Sequence, residues 1–266
     1  MGASMSSKAR ETVASLVLGK LRVDAVTQAQ ALAIIDALVE EGTGGRVYTP
    51  NIDHVVMAES DRAFAEAYER AALSLADGFP LVATSKLTKV KLPEKVSGSD
   101  LVMPLMAQAA EKGRRVFFFG GAPGVGEAAK AKLLERYPTL QVVGIAAPKV
   151  DLSASDADLR ALAAPILESK ADYVLVALGA PKQEIFIDRV ADVVRPAVLL
   201  GIGASLDFVA GRVKRAPRWM SENGLEWLYR LNQERGRLWR RYVRDTKYPY
   251  IVLKHYLLDQ RSRGGR

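Results

Sequence analysis

The chain has 266 residues, 49% of them hydrophobic, and a formal net charge of +8 at pH 7, so it can bury one sizeable core. It contains no cysteine, which excludes disulfide bonds and thiolate zinc sites and fits a reducing cytoplasm. No run approaches the roughly 20 apolar residues of a spanning helix, and the N-terminal residues lack the apolar segment of a signal peptide. We therefore expect a cytoplasmic protein.

Apolar runs alternate with helical patterns along most of the chain. Residues 16–26 predict a strand or hairpin at one edge of a sheet. Strands are then expected near residues 46–49, 73–77, 115–119, 141–145, 171–178 and 196–200, and helices over 27–41, 53–72, 100–112, 124–137, 155–169 and 182–194. This alternation implies right-handed crossovers. The predicted fold class is α/β, with a Rossmann-like, mostly parallel sheet flanked by helices.

The alternation stops near Gly211, where the charge balance also changes. Residues 1–207 hold 23 Lys or Arg and 25 Asp or Glu, whereas residues 208–266 hold 15 basic and 5 acidic residues and all three tryptophans. We therefore predict an α/β domain over 1–211 and a helical, arginine- and aromatic-rich appendage over 212–266. Such a segment suits an anionic membrane, a nucleic acid or a ligand pyrophosphate. A solvated helix face whose aromatic residues lie in the core is the alternative interpretation.

Arginines in this segment recur at a helical spacing. Arg230, Arg237 and Arg244 stand seven residues apart, so they share one face of a continuous helix. Glu226 and Glu234 are spaced to pair with the first two. No acidic residue precedes by three or four positions the four arginines Arg235, Arg240, Arg241 and Arg244. Guanidinium groups without such partners favour a polyanionic ligand.

Three predicted strands end in glycine-bearing loops. The loops begin at Gly120-Gly121, at Gly179-Ala180-Pro181 and at Gly201-Ile202-Gly203. A strand that ends in glycine brings bare backbone amides to the sheet edge, and the following helix points its positive end to the same place. The pattern predicts a phosphate- or sugar-bearing ligand at the carboxyl ends of the strands.

Polar side chains follow other predicted strands at the same edge. Asp77 ends the run 73–76, where its carboxylate could act as a general base, and Gly78 would allow a ligand to approach closely. The alternative is an aspartate that caps the following helix. Hydrogen-bonding or acidic side chains stand at two further loops, and these are Thr49, Asn51, Gln183 and Glu184. Glu184 could equally be an ordinary acidic residue in a first helical turn.

Several other motifs are weak. Gly201-x-Gly203 lacks the third glycine of a dinucleotide fingerprint, because Leu206 occupies that position. Asp156-Ala157-Asp158 resembles a metal-binding Asp-x-Asp, but it follows Ser155 at a helix start, where capping explains it better. The chain has only two histidines, neither within a ligand pattern. We predict no metal site and no cofactor.

Taken together, these motifs resemble the WecG/TagA/CpsF glycosyltransferases (glycosyltransferase family 26). The resemblance covers roughly residues 20–245 in one order. The matching segments are Thr49-Pro50-Asn51, Ala76-Asp77-Gly78, Val96-Ser97-Gly98-Ser99-Asp100, Phe118-Phe119-Gly120-Gly121, the segment from Gly179 to Glu184, the segment from Gly201 to Phe208, the segment from Gly211 to Trp219 and the segment from Gly224 to Leu231.

The resemblance implies a cytoplasmic enzyme, peripherally associated with the inner face of the cell membrane. It would transfer a sugar from a UDP-sugar to a polyprenyl-diphosphate-linked saccharide in cell-surface polysaccharide biosynthesis, with inversion and without a metal. Asp77 is the implied base. The implied substrate contacts are Thr49, Asn51, Gly78, Lys95, Gly98, Asp100, Gly120, Gly121, Gly179, Pro181, Gln183, Glu184 and Gly203. The residues implied to neutralise the UDP pyrophosphate are Arg230, Arg237 and Arg240.

The resemblance also implies an anionic membrane surface as partner and no nucleic acid, and it leaves homo-oligomer formation open. Two positions depart from the family pattern. Lys95 stands where many relatives have arginine, which removes bidentate recognition there. Glu234-Arg235-Gly236 stands where relatives often have Glu-Pro. Two alternative functions remain, which are a nucleotide-binding α/β protein whose tail binds nucleic acid and a NAD-linked oxidoreductase.

Overall fold

A six-stranded parallel sheet forms the centre of the computed structural model, which describes residues 13–213, Met220, Tyr229 and residues 242–263. The order of the strands is β4-β3-β8-β7-β5-β6, and a separate antiparallel hairpin, β1-β2, precedes the sheet. The strand bounds are β1 Ser15–Leu18, β2 Leu21–Asp24, β3 Gly45–Tyr48, β4 Leu73–Ser74, β5 Arg115–Gly120, β6 Gln141–Ala146, β7 Tyr173–Ala177 and β8 Val198–Gly201.

Helices connect the strands and cover both faces of the sheet. Those within the described residues are α1 Gln28–Glu40, α2 Ile52–Ser60, α3 Arg62–Glu69, α4 Phe79–Ser85, α5 Gly98–Lys112, α6 Val125–Arg136, α7 Asp156–Ser169, α8 Lys182–Val190, α9 Ser205–Ala210 and α10 Tyr248–Arg263. None of them is long and apolar enough to cross a bilayer.

Alternation along the strands divides the core into two apolar layers. In β5, Phe117 and Phe119 belong to the layer that also contains buried residues of α2, α3, α7, α8 and α10 and of the hairpin. Their neighbours Val116 and Phe118 pack with α1, α5, α6 and α9 on the other face. Both faces of a parallel sheet are buried in this way because each crossover places a helix on one of them. The predicted α/β fold class is therefore confirmed.

The predicted elements recur with two differences. The six strands and the hairpin at 16–26 are confirmed, but the single helix expected over 53–72 is wrong. Asp61 has an extended backbone there, and its carboxylate accepts a hydrogen bond from the backbone N–H of Phe64, so it ends α2 and caps α3. Helices α4 and α9 were not predicted, because each is shorter than two full turns and carries little periodic signal.

Helix α10 packs back onto the α/β core. Tyr248 and Ile251 are buried in the layer that contains α2 and the hairpin. The Tyr248 hydroxyl donates to Thr84 Oγ1 over 2.9 Å, and His255 Nε2 lies 2.6 Å from the Gly19 carbonyl oxygen. The first turns of α10 are thus anchored beside α4 and the turn between β1 and β2. The division into 1–211 and 212–266 stays a prediction, because most residues after 213 that would form the junction lie outside the described residues.

A buried carboxylate joins three elements at the amino edge of the sheet. Asp36 of α1 is paired with Lys112, accepts from Arg114 Nε and from the Tyr173 hydroxyl, both over 2.8 Å, and is 3% exposed. Burial by itself would raise the pKa of Asp36, but the hydrogen bonds from Lys112 and Tyr173 and the charge of Arg114 outweigh it, and the net shift is downward. This ionised group therefore stabilises the fold above its ordinary pKa of 3.8, and that contribution is lost as pH falls through its depressed value in the folded state.

Asp36→Ala is expected to lower the free energy of unfolding by about 3 kcal/mol at pH 7, since it leaves two cations and a buried hydroxyl without their acceptor. Urea unfolding at pH 7 measures the change. The matched control is Glu40→Ala, which removes an exposed carboxylate 3.1 Å from the same Arg114 and should cost less than about 1 kcal/mol. Equal decreases in the free energy of unfolding for the two variants would show that burial of Asp36 does not increase its contribution to stability.

Candidate active site

The predicted site residues converge because the sheet is parallel. The carboxyl ends of β4, β3, β8, β7 and β5 follow one another along one edge of the sheet. The chain leaves those ends at Asp77, Thr49, Gly201, Gly179 and Gly121. Ligands of open parallel sheets bind in this position, outside the carboxyl ends of the strands. The predicted edge is therefore one continuous surface rather than several separate loops.

Thr49 and Asp77 are held next to each other by the backbone. The Asp77 N–H donates to the Pro50 carbonyl over 2.8 Å, which ties the end of β4 to the segment after β3. The buried Thr49 hydroxyl donates to the Gly201 carbonyl over 3.2 Å. That hydroxyl can still accept a hydrogen bond from a ligand. Asp77 is half-buried, so its carboxylate can meet a substrate without being sealed inside the protein.

Asn51 has a structural role that the sequence analysis did not assign. Its side-chain oxygen accepts from the backbone N–H groups of Asp53 over 3.0 Å and His54 over 3.3 Å, which caps α2. The amide NH₂ takes no part in this cap and is the group that could contact a sugar. Its predicted substrate contact stays a prediction.

The glycines of the predicted site fall into two groups. Gly179 and Gly203 have φ of +74° and +54°, and no atom lies within 4 Å of the place a side chain would occupy. They therefore border open space above the strand ends. By contrast, a Cβ on Gly120 would lie 2.8 Å from the Ala177 carbonyl oxygen, and one on Gly98 would lie 3.1 Å from that of Ile202. At these two positions, close packing of the backbone is sufficient reason for glycine.

Four helices begin at this edge without a side-chain cap, and α6 and α8 are the two with eight or more residues. Helix α6 starts after Gly124 and α8 starts after Pro181, and neither residue caps its helix through a side chain. In their first turns, the N–H groups of Val125 and Gln183 already donate to the carbonyl oxygens of Ala122 and Gly179. The N–H groups that remain in these turns can bind an anionic or hydroxyl-rich ligand. Gly121 lies at the same place, and its N–H donates to the Ala177 carbonyl over 2.8 Å.

Lys95 and Asp100 lie close to Asp77 and form an ion pair with each other. Val96 N–H donates to the Ala76 carbonyl over 2.8 Å, which places this segment beside the end of β4. Lys95 Nζ lies 2.5 Å from Asp100 Oδ2, and both side chains are about four-fifths buried. The lysine thus has an acidic partner within the protein, and its predicted contact with substrate stays a prediction.

Gln183 connects α8 to the turn after β8. Its side-chain oxygen accepts from the Gly203 N–H over 3.0 Å, and its NH₂ donates to Glu184 Oε1 over 2.8 Å. The side chain is 3% exposed. These contacts fix the Gly203 turn, which borders the open space, while the second hydrogen of the NH₂ stays available to a ligand.

Glu184 is a fully buried carboxyl group beneath the site. Its Oε1 lies 4.0 Å from His54 Nδ1, while its Oε2 has no hydrogen-bond partner among the described residues. Burial, aided by the charge of Asp53, raises its pKa to about 7 against the hydrogen bond from Gln183. Glu184 is therefore more than an ordinary first-turn acid, and it does not reach the open edge.

Sequence reasoning missed two members of this buried group. His54 Nδ1 lies 2.7 Å from the hydroxyl of Tyr68, and both side chains are buried. Burial, followed by the charges of Glu184 and Asp77, raises the pKa of Tyr68 well above its ordinary value. The Tyr68 hydroxyl is thus close enough to respond to both carboxylates. The sequence signal was weak, because the two residues are 14 apart and on different helices.

Two arginines of the appendage, Arg212 and Arg244, have described side-chain contacts, and Arg212 donates to the Pro123 carbonyl over 2.9 Å. Arg230, Arg237 and Arg240 lie outside the described residues. Arg244, which has no acidic residue at a helical spacing, nevertheless pairs with the buried Asp53 of α2. The expectation that Arg244 needs an external anion is therefore wrong, because its partner comes from a distant part of the chain.

The metal-like motif also has another explanation. Ser155 Oγ accepts from the Asp158 N–H over 3.2 Å and caps α7, as the capping interpretation predicts. Asp156 lies 3.7 Å from Arg189 Nε. In residues 13–213 and 242–263, no three Asp, Glu or His side chains are grouped so that they could hold a metal ion.

Comparison with known proteins fits this arrangement of strand ends. The family model of the glycosyl transferase WecG/TagA/CpsF family matches residues 16–263. The chain belongs to this family. It is therefore a glycosyltransferase by descent, and neither the NAD-linked oxidoreductase nor the nucleic-acid-binding alternative is favoured.

Two curated relatives are similar over most of their length. A protein of Bacillus subtilis is 32% identical over 216 residues, which cover 81% of this chain and 82% of the relative. A protein of Bacillus spizizenii is 34% identical over 217 residues, covering 82% of each. Both are named N-acetylglucosaminyldiphosphoundecaprenol N-acetyl-beta-D-mannosaminyltransferase. The names describe those relatives as transferases that act on a sugar carried by a polyprenyl diphosphate.

Proposed function

We propose that this protein is an inverting glycosyltransferase that moves N-acetylmannosamine from a UDP-sugar to N-acetylglucosamine carried on a polyprenyl diphosphate. The observation that carries the proposal is the position of Asp77, half-buried at the end of β4 and tied through the Pro50 carbonyl to the segment that follows Thr49. The family membership and the names of the two relatives support the same reaction class.

The proposed reaction has one displacement. The acceptor hydroxyl oxygen forms a bond to the anomeric carbon while the bond from that carbon to the UDP oxygen breaks, and the bonding electrons leave with UDP. The Asp77 carboxylate takes the hydroxyl proton, which makes the oxygen a better nucleophile. Attack from the side opposite to UDP inverts the anomeric centre. We assign the orientation of the sugar hydroxyl groups to Thr49 and to the NH₂ groups of Asn51 and Gln183, whose other hydrogen bonds fix them at this edge.

The departing diphosphate requires positive charge. The uncapped starts of α6 and α8 supply partial positive charge at the edge of the sheet. We assign the remaining neutralisation to Arg230, Arg237 and Arg240, in a segment with 15 basic and 5 acidic residues. In this proposal the arginines take the place that a divalent cation has in metal-dependent transferases.

Turnover is accordingly expected to be unchanged by EDTA. The measurement is the initial rate of UDP release in the purified enzyme, with and without chelator, followed by addition of Mg²⁺ or Mn²⁺. A rate that falls with EDTA and recovers with either ion would contradict the assignment of charge neutralisation to arginine.

The proposed acceptor places the enzyme at a membrane. Its polyprenyl chain resides in the bilayer, so the sugar is reached from the surface, and the basic residues after 207 suit anionic lipids. We therefore propose peripheral association with the inner face of the cell membrane. Homo-oligomer formation stays a prediction.

The proposed function is tested by UDP release from a panel of UDP-sugars, with a short-chain lipid-diphosphate-linked N-acetylglucosamine as acceptor. Acceptor-dependent release from UDP-N-acetylmannosamine alone would support both the reaction and the sugar. Release from another donor would retain the reaction class and replace the sugar. No acceptor-dependent release from any donor, by a folded protein in the presence of anionic vesicles, would overturn the proposal.

A further inference from the structure

Next to Asp77, a short ordered loop presents an apolar side chain to solvent. Helix α4 begins directly after Gly78, and residues 86–91 follow it. Leu87 in this loop is 78% exposed, the highest value among the large hydrophobic side chains of the described residues. Phe79, at the start of α4, is 46% exposed. Two exposed apolar residues thus stand at the two ends of α4, one at its start and one just after its end.

Hydrogen bonds within the loop fix its conformation. Ser85 Oγ accepts from the Leu92 N–H over 3.0 Å at the base of the loop. The Thr88 hydroxyl lies 2.9 Å from the carbonyl oxygens of Ser85 and Val90, and Lys91 Nζ donates to the Lys86 carbonyl over 2.7 Å. Leu81 and Leu92 are buried on either side of the loop. Burial of the flanking leucines fixes the loop, so exposure of Leu87 is a property of its conformation.

The loop is also basic. Lys86, Lys89 and Lys91 are exposed, and no acidic residue occurs between Gly78 and Glu94. Apolar side chains among lysines match a bilayer whose surface is anionic and whose interior is apolar. A second copy of the chain is a poorer partner for this patch, since the protein carries a net charge of +8.

The position of the loop relative to Asp77 fits a lipid-linked acceptor. Helix α4 has seven residues, so the loop begins about 10 Å from Gly78 along the helix axis. Only a sugar and a diphosphate separate the reacting hydroxyl of the proposed acceptor from its polyprenyl chain. A membrane contact at this loop would therefore hold the catalytic edge close to the lipid surface. Helix α4, which precedes the loop, contacts α10 through the Tyr248–Thr84 hydrogen bond, so the loop can act together with the tail.

We propose that residues 79–91 form a second membrane-contacting surface, distinct from the arginine-rich tail, in which Leu87 enters an anionic bilayer and Lys86 and Lys89 contact its headgroups. This proposal rests on the proposed function for its biological meaning. The binding itself can be measured without turnover.

The test compares two loop variants with matched controls in the full-length protein. The loop variants are Leu87→Ser and the pair Lys86→Glu with Lys89→Glu. The controls are Leu167→Ser, which changes a 47% exposed leucine on α7, and the pair Arg160→Glu with Lys170→Glu at exposed positions of or next to α7. Binding is measured by co-sedimentation with vesicles of equal parts phosphatidylglycerol and phosphatidylcholine, and with phosphatidylcholine alone.

Each loop variant is expected to lower the partition coefficient on anionic vesicles by about tenfold, while the controls change it by less than about twofold. Their UDP release with a soluble short-chain acceptor should stay within about twofold of the unmodified protein. Vesicle binding by both loop variants that matches the controls would overturn the proposal. So would a dimer in sedimentation analysis that Leu87→Ser converts to a monomer, because the patch would then bind a second copy. Lost vesicle binding in a protein that releases no UDP from any donor would support the surface and reject only the proposed function.

Discussion

Asp77→Asn is expected to lower turnover by about 10²–10⁴-fold, the usual contribution of a general base. The asparagine has nearly the same shape, so the backbone bond from residue 77 to the Pro50 carbonyl and the start of α4 should be kept. An amide, unlike a carboxylate, cannot take the proton from the hydroxyl group of the acceptor sugar. Affinity for the UDP-sugar should change little, because the base interacts with the acceptor and not with the diphosphate. Initial rates of UDP release and donor titration by calorimetry measure the two quantities.

The matched control is Asp158→Asn, which changes an exposed carboxylate in the first turn of α7. Its turnover should be that of the unmodified enzyme. Near-normal turnover by Asp77→Asn would remove Asp77 from the role of base and direct attention to another carboxylate of the same edge. A loss of donor affinity equal to the loss of rate would indicate that Asp77 positions the donor.

The sheet could be predicted from the sequence because most of its strands are short, buried and largely apolar runs with a turn signal after them, the edge strand β6 being partly exposed. Tyr173 to Ala177, for example, is buried at every position, which is typical of a central parallel strand. The positions of Thr49 and Asp77 then followed from topology, since parallel strands bring their carboxyl ends to one edge. These inferences need only the apolar pattern of each segment and the rule that strands joined through helices are parallel.

What the sequence could not supply is pairing between distant side chains. Arg244 and Asp53 are 191 residues apart, and no helical spacing relates them. The orientation of Gln183 is similar, because its partner Gly203 belongs to another strand-end loop. Gly98 was predicted as a substrate contact, whereas the structure gives it a packing reason against Ile202. Each of these depends on the tertiary approach of two segments, which residue type and spacing do not encode.

Glu184→Gln is expected to remove a pH dependence of stability. Because the folded protein raises the pKa of this carboxyl from 4.5 to about 7, the folded state keeps a proton between those values that the unfolded chain releases. Stability therefore falls as pH rises through this window. At 1.36 kcal/mol per pKa unit, the loss attributable to Glu184 is about 3 kcal/mol at pH 8 relative to pH 4. The glutamine side chain has no charge to desolvate and can still accept from the Gln183 NH₂.

Urea unfolding of both proteins between pH 4 and pH 8 measures this effect as a difference, which cancels the titration of groups that do not interact with Glu184. The stability of the variant relative to the unmodified protein should increase with pH by about 3 kcal/mol and level off above pH 7. Glu135→Gln, at an exposed position of α6, is the control and should leave the pH profile unchanged. Parallel profiles for Glu184→Gln and the unmodified protein would mean that Glu184 does not hold a proton in the folded state. In that case a buried carboxylate, rather than a neutral acid, would support Gln183 and the Gly203 turn.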